Sequence, residues 1–86
     1  MDQTQYAFII KAPGYHRSTH KAHMVSPAFD AKFIGVDNFE EALVASEVLV
    51  VAGTQVIELC GGFSTQEASE LRSRFPDCDI GLVTYP

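Results

Sequence analysis

The thirteen residues from Gln55 to Glu67, QVIELCGGFSTQE, constrain this chain more than any other stretch. Val56 to Cys60 is an apolar run broken once, by Glu58. Runs of that length bounded by glycine read as buried strands. Gly61 and Gly62 supply the backbone freedom of a tight turn. Ser64 then stands as an N-cap with Glu67 three places on, the spacing of a capping box. A strand, a glycine turn and a helix start are thereby laid end to end, and such units build parallel sheets.

The flanking segments repeat the alternation. Tyr6 to Ala12 reads as the first strand, broken by Pro13-Gly14. Tyr15 to about Val25 reads as a short helix stopped by Ser26-Pro27, and Ala31 to Val36 as the second strand. Asn38 with Glu41 opens a helix over Phe39 to Ala52, with acids in its first turn and Gly53 as its C′ residue. After the strand Val56 to Cys60 comes a helix over Thr65 to Phe75, stopped by Pro76, and a last strand over Asp79 to Tyr85. The expected fold is α/β, β-α-β-α-β-α-β, with a four-stranded, mostly parallel sheet in a flavodoxin-like or barrel-fragment order. One domain over residues 1–86 accommodates all of it. Three helices cannot cover both faces of four strands evenly, so apolar sheet is left to be covered.

The charge balance narrows the partners. Six Lys and Arg stand against eleven Asp and Glu, a formal charge of −5, which gives no electrostatic footprint for nucleic acid. The longest apolar run, Val48 to Ala52, is far short of a membrane span, and the first residues lack a signal-peptide pattern; a soluble, cytoplasmic protein is expected. Cys60 ends one strand and Cys78 precedes another, which in a parallel sheet puts the thiols out of disulfide reach.

In open α/β sheets ligands bind beyond the carboxyl ends of the strands. Lys11 to His16, Val36 to Asn38, Glu58 to Ser64 and Thr84 to Tyr85 are expected to meet there. Backbone N–H groups of Gly61, Gly62, Phe63, Ser64 and Thr65 at a helix start suit an anion, with Lys11, His16 and Arg17 adding positive charge. Walker-A and GxGxxG spacings are missing from the turn. The alternative is a tight turn that needs glycine and nothing more. Glu58, on a central strand, is a general base or an acceptor that orients a ligand, or else a structural carboxylate paired with Lys11, Lys32 or backbone N–H groups. Cys60 at the helix start is either a nucleophile or a buried, inert cysteine. His16, His20 and His23 would share one face of a helix and could then hold Zn²⁺ or another transition metal; an exposed, weakly basic helix is the plainer reading.

The chain resembles a group of small, uncharacterised α/β domains of bacterial type. The elements that carry the resemblance are Ala12-Pro13, His16-Arg17, Gly35-Val36 with Glu40-Glu41-Ala42, and Glu58-Leu59-Cys60-Gly61-Gly62-Phe63. It covers nearly the whole chain, its E-L-C-G-G-F element is the most specific, and it implies a fold and a site location but no reaction. The strand-GGF turn is also locally similar to barrel-class phosphate-sugar aldolases, but 86 residues cannot close an eight-fold barrel and no lysine matches their Schiff base.

Around the central helix, Phe39, Ala42, Leu43, Ala45, Leu49, Val50 and Ala52 form a core face, while Val44, Val48 and Val51 fall opposite among Glu40, Glu41 and Glu47. Three clustered outward valines suggest self-association, through that stripe or through the open sheet face. The expectation is a small homo-oligomeric domain that binds a small anionic metabolite at the strand ends. An enzyme using Glu58 or Cys60 at the same cleft, and a module that only assembles, are the rival readings.

Overall fold

Two helices lie on one side of a five-stranded sheet, and among the described residues the other side carries no helix. The computed structural model describes residues 2–86. Its elements are β1 (Thr4–Lys11), β2 (Lys21–Val25), β3 (Phe29–Val36), α1 (Phe39–Val51), β4 (Val56–Leu59), α2 (Thr65–Arg74) and β5 (Asp79–Leu82). The sheet order is β2-β3-β1-β4-β5, with β2 antiparallel to β3 and the other four strands parallel.

The helix expected over Tyr15 to Val25 is absent, and this changes the architecture. Gly14 turns the chain at φ +87°, and His16 O accepts from Thr19 N and His20 N. Lys21-Ala-His-Met-Val25 then pairs with β3 as an edge strand. Ser26-Pro27 does not stop a helix. It opens a hairpin in which Ser26 N donates to Phe29 O at 2.8 Å and Phe29 N to Ser26 O at 3.4 Å. A two-residue loop is enough to join antiparallel strands, so no crossover is needed. The sheet is therefore five-stranded and mixed, not four-stranded, and carries two helices, not three.

The helices share a face for a topological reason. The crossover from β3 through α1 to β4 and the one from β4 through α2 to β5 step across the sheet in the same direction. Right-handed crossovers that step the same way place their helices on the same side. The link from β1 to β3 runs through β2, so nothing helical reaches the second side.

The helix ends form as their residues dictate. Asn38 Oδ1 accepts from Glu41 N at 2.9 Å, and a complete capping box joins Ser64 to Glu67. Gly53, at φ +101°, closes α1 with Gly53 N on Val50 O and Thr54 N on Leu49 O, a Schellman pattern. Ala7 and Ile9 of β1, Ile57 and Leu59 of β4, and Val36 of β3 are fully buried beneath Ala42, Leu49 and Leu71. Ser46 is buried where the helical face was expected to hold only apolar residues, and Ala52 is exposed. Val44, Val48 and Val51 are exposed, as their spacing predicts. Among the described residues no helix is long and apolar enough to cross a membrane.

Candidate functional site

The carboxyl ends of β1 and β4 lie side by side where the connections turn in opposite directions, the position at which open α/β sheets bind ligands. Gly62 is folded against the end of β1. A Cβ there would sit 2.7 Å from Lys11 O and 3.4 Å from Cys60 Sγ, so the approach itself requires glycine. Neither Gly61 nor Gly62 takes a positive φ, so the left-handed freedom that glycine offers is not what this turn uses. Cys60 Sγ accepts from Lys11 N and from Gly62 N, each at 3.3 Å, which ties the turn to β1.

Lys11 extends over the buried ring of Phe63, with Nζ 5.2 Å from its centroid, and ends on Glu67 at 2.9 and 3.0 Å. The same carboxylate accepts from Ser64 N at 2.9 Å. Partial burial works to raise the Glu67 pKa, but the Ser64 backbone N–H and the Lys11 ammonium outweigh it and hold the carboxyl below its ordinary value. Sequence reasoning found Glu67 as a helix cap and missed it as the counter-ion of Lys11.

This geometry bears on the anion cradle. Gly62 N is spent on Cys60 Sγ, Phe63 N on Cys60 O and Ser64 N on Glu67. Of the four N–H groups from Gly62 to Thr65, that of Thr65 alone is left without a hydrogen bond among the described residues. The helix start thus already holds a carboxylate of its own.

Lys11, Gly62 and Ser64 share a recess with Phe39 and Glu67, and Gly61, Phe63 and Thr65 adjoin it in the chain. His16 and Arg17 are not in it. They line a separate recess against the start of α1, where His16 Nδ1 lies 3.6 Å from Glu41 Oε2 and Arg17 N donates to Glu41 Oε1. His20 stacks near His16 and accepts from its N–H, whereas His23 stands on β2 with Nε2 2.8 Å from Asp30 Oδ1. The shared helical face expected of the three histidines does not exist, because their segment is a turn followed by a strand. Among the described residues no three His, Cys, Asp or Glu side chains gather as a metal site.

Glu58 faces away from the helices, between Phe8 of β1 and Gly81 of β5. A Cβ on Gly81 would collide with its Oε1, so glycine there makes room for the carboxylate. Lys11 and Lys32, its expected partners, pair with Glu67 and Asp30 instead. Burial, and then the charge of Glu58, raise the Tyr6 pKa.

Glu58 neighbours Phe8, at the edge of an aromatic patch. On the side without helices, Tyr6 and Phe29 pack with ring centroids 5.5 Å apart, and Phe8 and Phe33 stack at 6.4 Å. Met24 of β2 continues the patch and is 64% exposed. Tyr15 lies over Gly35 and Tyr85 over Gly61, so both folded-back loops add rings at the carboxyl-end rim. The last strand was expected to run to Tyr85, but it stops at Leu82 and frees that ring for the rim.

Fold and surface together define a small, open-faced α/β domain with an aromatic sheet surface and a self-neutralised strand-end crevice. The chain belongs to a family of unknown function (DUF6506), whose model matches residues 4–86. No curated protein and no solved structure matches the chain.

Proposed function

We propose that this domain is a binding module whose working surface is the uncovered sheet face, where an apolar counter-surface packs on Tyr6, Phe8, Met24, Phe29 and Phe33. The observation that carries this reading is the placement of both helices on one side of a mostly parallel sheet. Parallel strands are almost always covered on both faces, and a contiguous apolar patch in which Met24 and Phe29 are exposed and Tyr6, Phe8 and Phe33 half-buried marks an interaction site. Binding is favoured over catalysis because the hydrogen bonds of Cys60 Sγ all go to backbone groups, and the carboxylate nearest Lys11 neutralises it. Two free cysteines suit a reducing, cytoplasmic setting.

An apolar dye such as anilinonaphthalene sulfonate, titrated into dilute protein, tests the reading. Saturable binding that weakens in Met24→Glu and in Phe33→Ser supports it. A monomeric sample that ignores the dye contradicts it.

A second reading keeps the anionic metabolite at the strand ends. It is favoured by the partly exposed ammonium of Lys11 at the point where the chain reverses direction across the sheet. An anion there must displace Glu67, so Glu67→Gln should strengthen thermal stabilisation by phosphate or citrate. Equal shifts in wild type and Glu67→Gln would remove this reading.

A further inference from the structure

We infer that the occupant of the open sheet face is a second copy of this chain, packed face to face, and the inference rests on the reading of that face as the working surface. Size, charge and alternation each favour this occupant.

At about 4.8 Å between strands and 3.3 Å per residue, the five strands project roughly 450 Å² of flat area before the relief of the rings is counted. A standard interface takes about 800 Å² of accessible surface from each partner; the flat projection is a little over half of that, and the relief of the rings with Tyr15 and Tyr85 at the rim adds to it. A helix, about 10 Å across, would cover only two strand widths and leave the rest of the rings wet. A second sheet of the same width covers all of them, as in stacked sheets about 10 Å apart.

The charge distribution points the same way. Lys32, Asp30 and His23 alternate to the helix side of β2 and β3, and Lys11 does so on β1. Over β2, β3 and β1 the open face is therefore free of charged side chains. Among the described residues Glu58 on β4 and Asp79 on β5 bring charge to it, and Arg72 of α2 shares their recess at the β5 edge. A chain of net charge −5 meets a copy of itself against long-range repulsion, so a self-contact has to be neutral where it is closest, and this face is. A basic partner, by contrast, would find nothing to pair with across the aromatic strands. The valine stripe is the rival surface, but Val44, Val48 and Val51 are three side chains on one helix hemmed by Glu40, Glu41 and Glu47.

Sedimentation velocity over a concentration series decides the matter, with Met24→Glu and Val48→Glu beside wild type. Both substitutions fall on exposed positions, so both variants are expected to keep the fold, and circular dichroism is the check on this. Wild type and Val48→Glu sediment as dimers, while Met24→Glu raises the dissociation constant about a hundredfold by burying a carboxylate twice in each dimer. Wild type that stays monomeric, or dissociation by Val48→Glu in place of Met24→Glu, overturns the inference. In the monomeric case, dye binding sensitive to Met24→Glu shows that the face takes another apolar occupant, and a face that binds no dye takes the underlying reading down as well.

Discussion

Lys11 Nζ and Glu67 are held at 2.9 and 3.0 Å across 56 positions of the chain, and this pair closes the crevice at the carboxyl ends of β1 and β4. It joins the central strand to the first turn of α2, where the same carboxylate caps Ser64 N. The pair answers the question that the Gly-Gly-Phe-Ser turn raises, because the negative charge that a helix start attracts is supplied from within.

Glu67→Gln should therefore cost about 1 kcal/mol at neutral pH, since the amide still accepts from Ser64 but loses the charge-assisted part of both contacts. For a domain of this size that is a fall of roughly 4–8 °C in Tm. The sign of the pH dependence follows from the lowered pKa. Folding favours the ionised carboxyl, so its contribution is complete above the ordinary value of 4.5 and is lost as pH falls through the lower folded value. Thermal melts should show the gap between wild type and variant closing as the pH is taken down through that range. A gap that stays constant contradicts the assignment.

Gly62→Ala should destabilise by about 1–3 kcal/mol, because the added Cβ meets the backbone carbonyl of Lys11, which no side-chain rotation can relieve. Gly35→Ala meets the side chain of Tyr15, from Cδ2 at 2.7 Å back to Cβ at 3.1 Å, so the whole side chain must shift, but no backbone carbonyl stands in the way and the cost should be less. Denaturant titration of the two variants measures the difference. The reverse ranking would show that the turn is not packed against β1.

Ser46 Oγ is fully buried and has no hydrogen-bond partner among the described residues. Removing an unsatisfied buried hydroxyl and restoring the best helix former should raise stability, by about 1 kcal/mol. A rise in Tm for Ser46→Ala is the expected result, and a fall would mean that the hydroxyl is satisfied.

Tyr6 and Glu58 are coupled across β1 and β4 on the open face. Burial is the larger cause of the raised phenol pKa, so Glu58→Gln should lower it only in part. Ultraviolet titration resolves it among the three tyrosines if Tyr15 and Tyr85 are replaced by Phe.

Much of this architecture is legible in local chemistry. Asn38, Ser64 with Glu67, and Gly53 mark helix ends because caps involve residues only three to five apart. The apolar runs of β1, β3 and β4 reveal themselves because parallel strands are buried and need no alternation. What could not be read locally is the edge strand. Lys21 to Val25 is polar enough to suit an exposed helix, and Ser26-Pro27 suits a helix stop as well as a hairpin; only pairing with β3 decides between them. At the site, glycine was foreseen at the turn, but its cause was not, since the Gly62 contact with Lys11 O is tertiary. The partner of Lys11 escaped notice for the same reason, and the histidines lost their shared face when their helix proved to be a turn and a strand. The open face was foreseen as a surplus of sheet over helix, and the loss of the third helix left one whole side of the sheet bare.

The central claim is that this side is covered by a second copy. Isotope-filtered nuclear Overhauser spectroscopy on a mixed sample of labelled and unlabelled chains tests it most directly. The account predicts intermolecular contacts from the rings of Tyr6, Phe8, Phe29 and Phe33 and from the Met24 methyl. Intermolecular contacts confined to Val44, Val48 and Val51, or none at concentrations far above the dissociation constant seen by sedimentation, would contradict it.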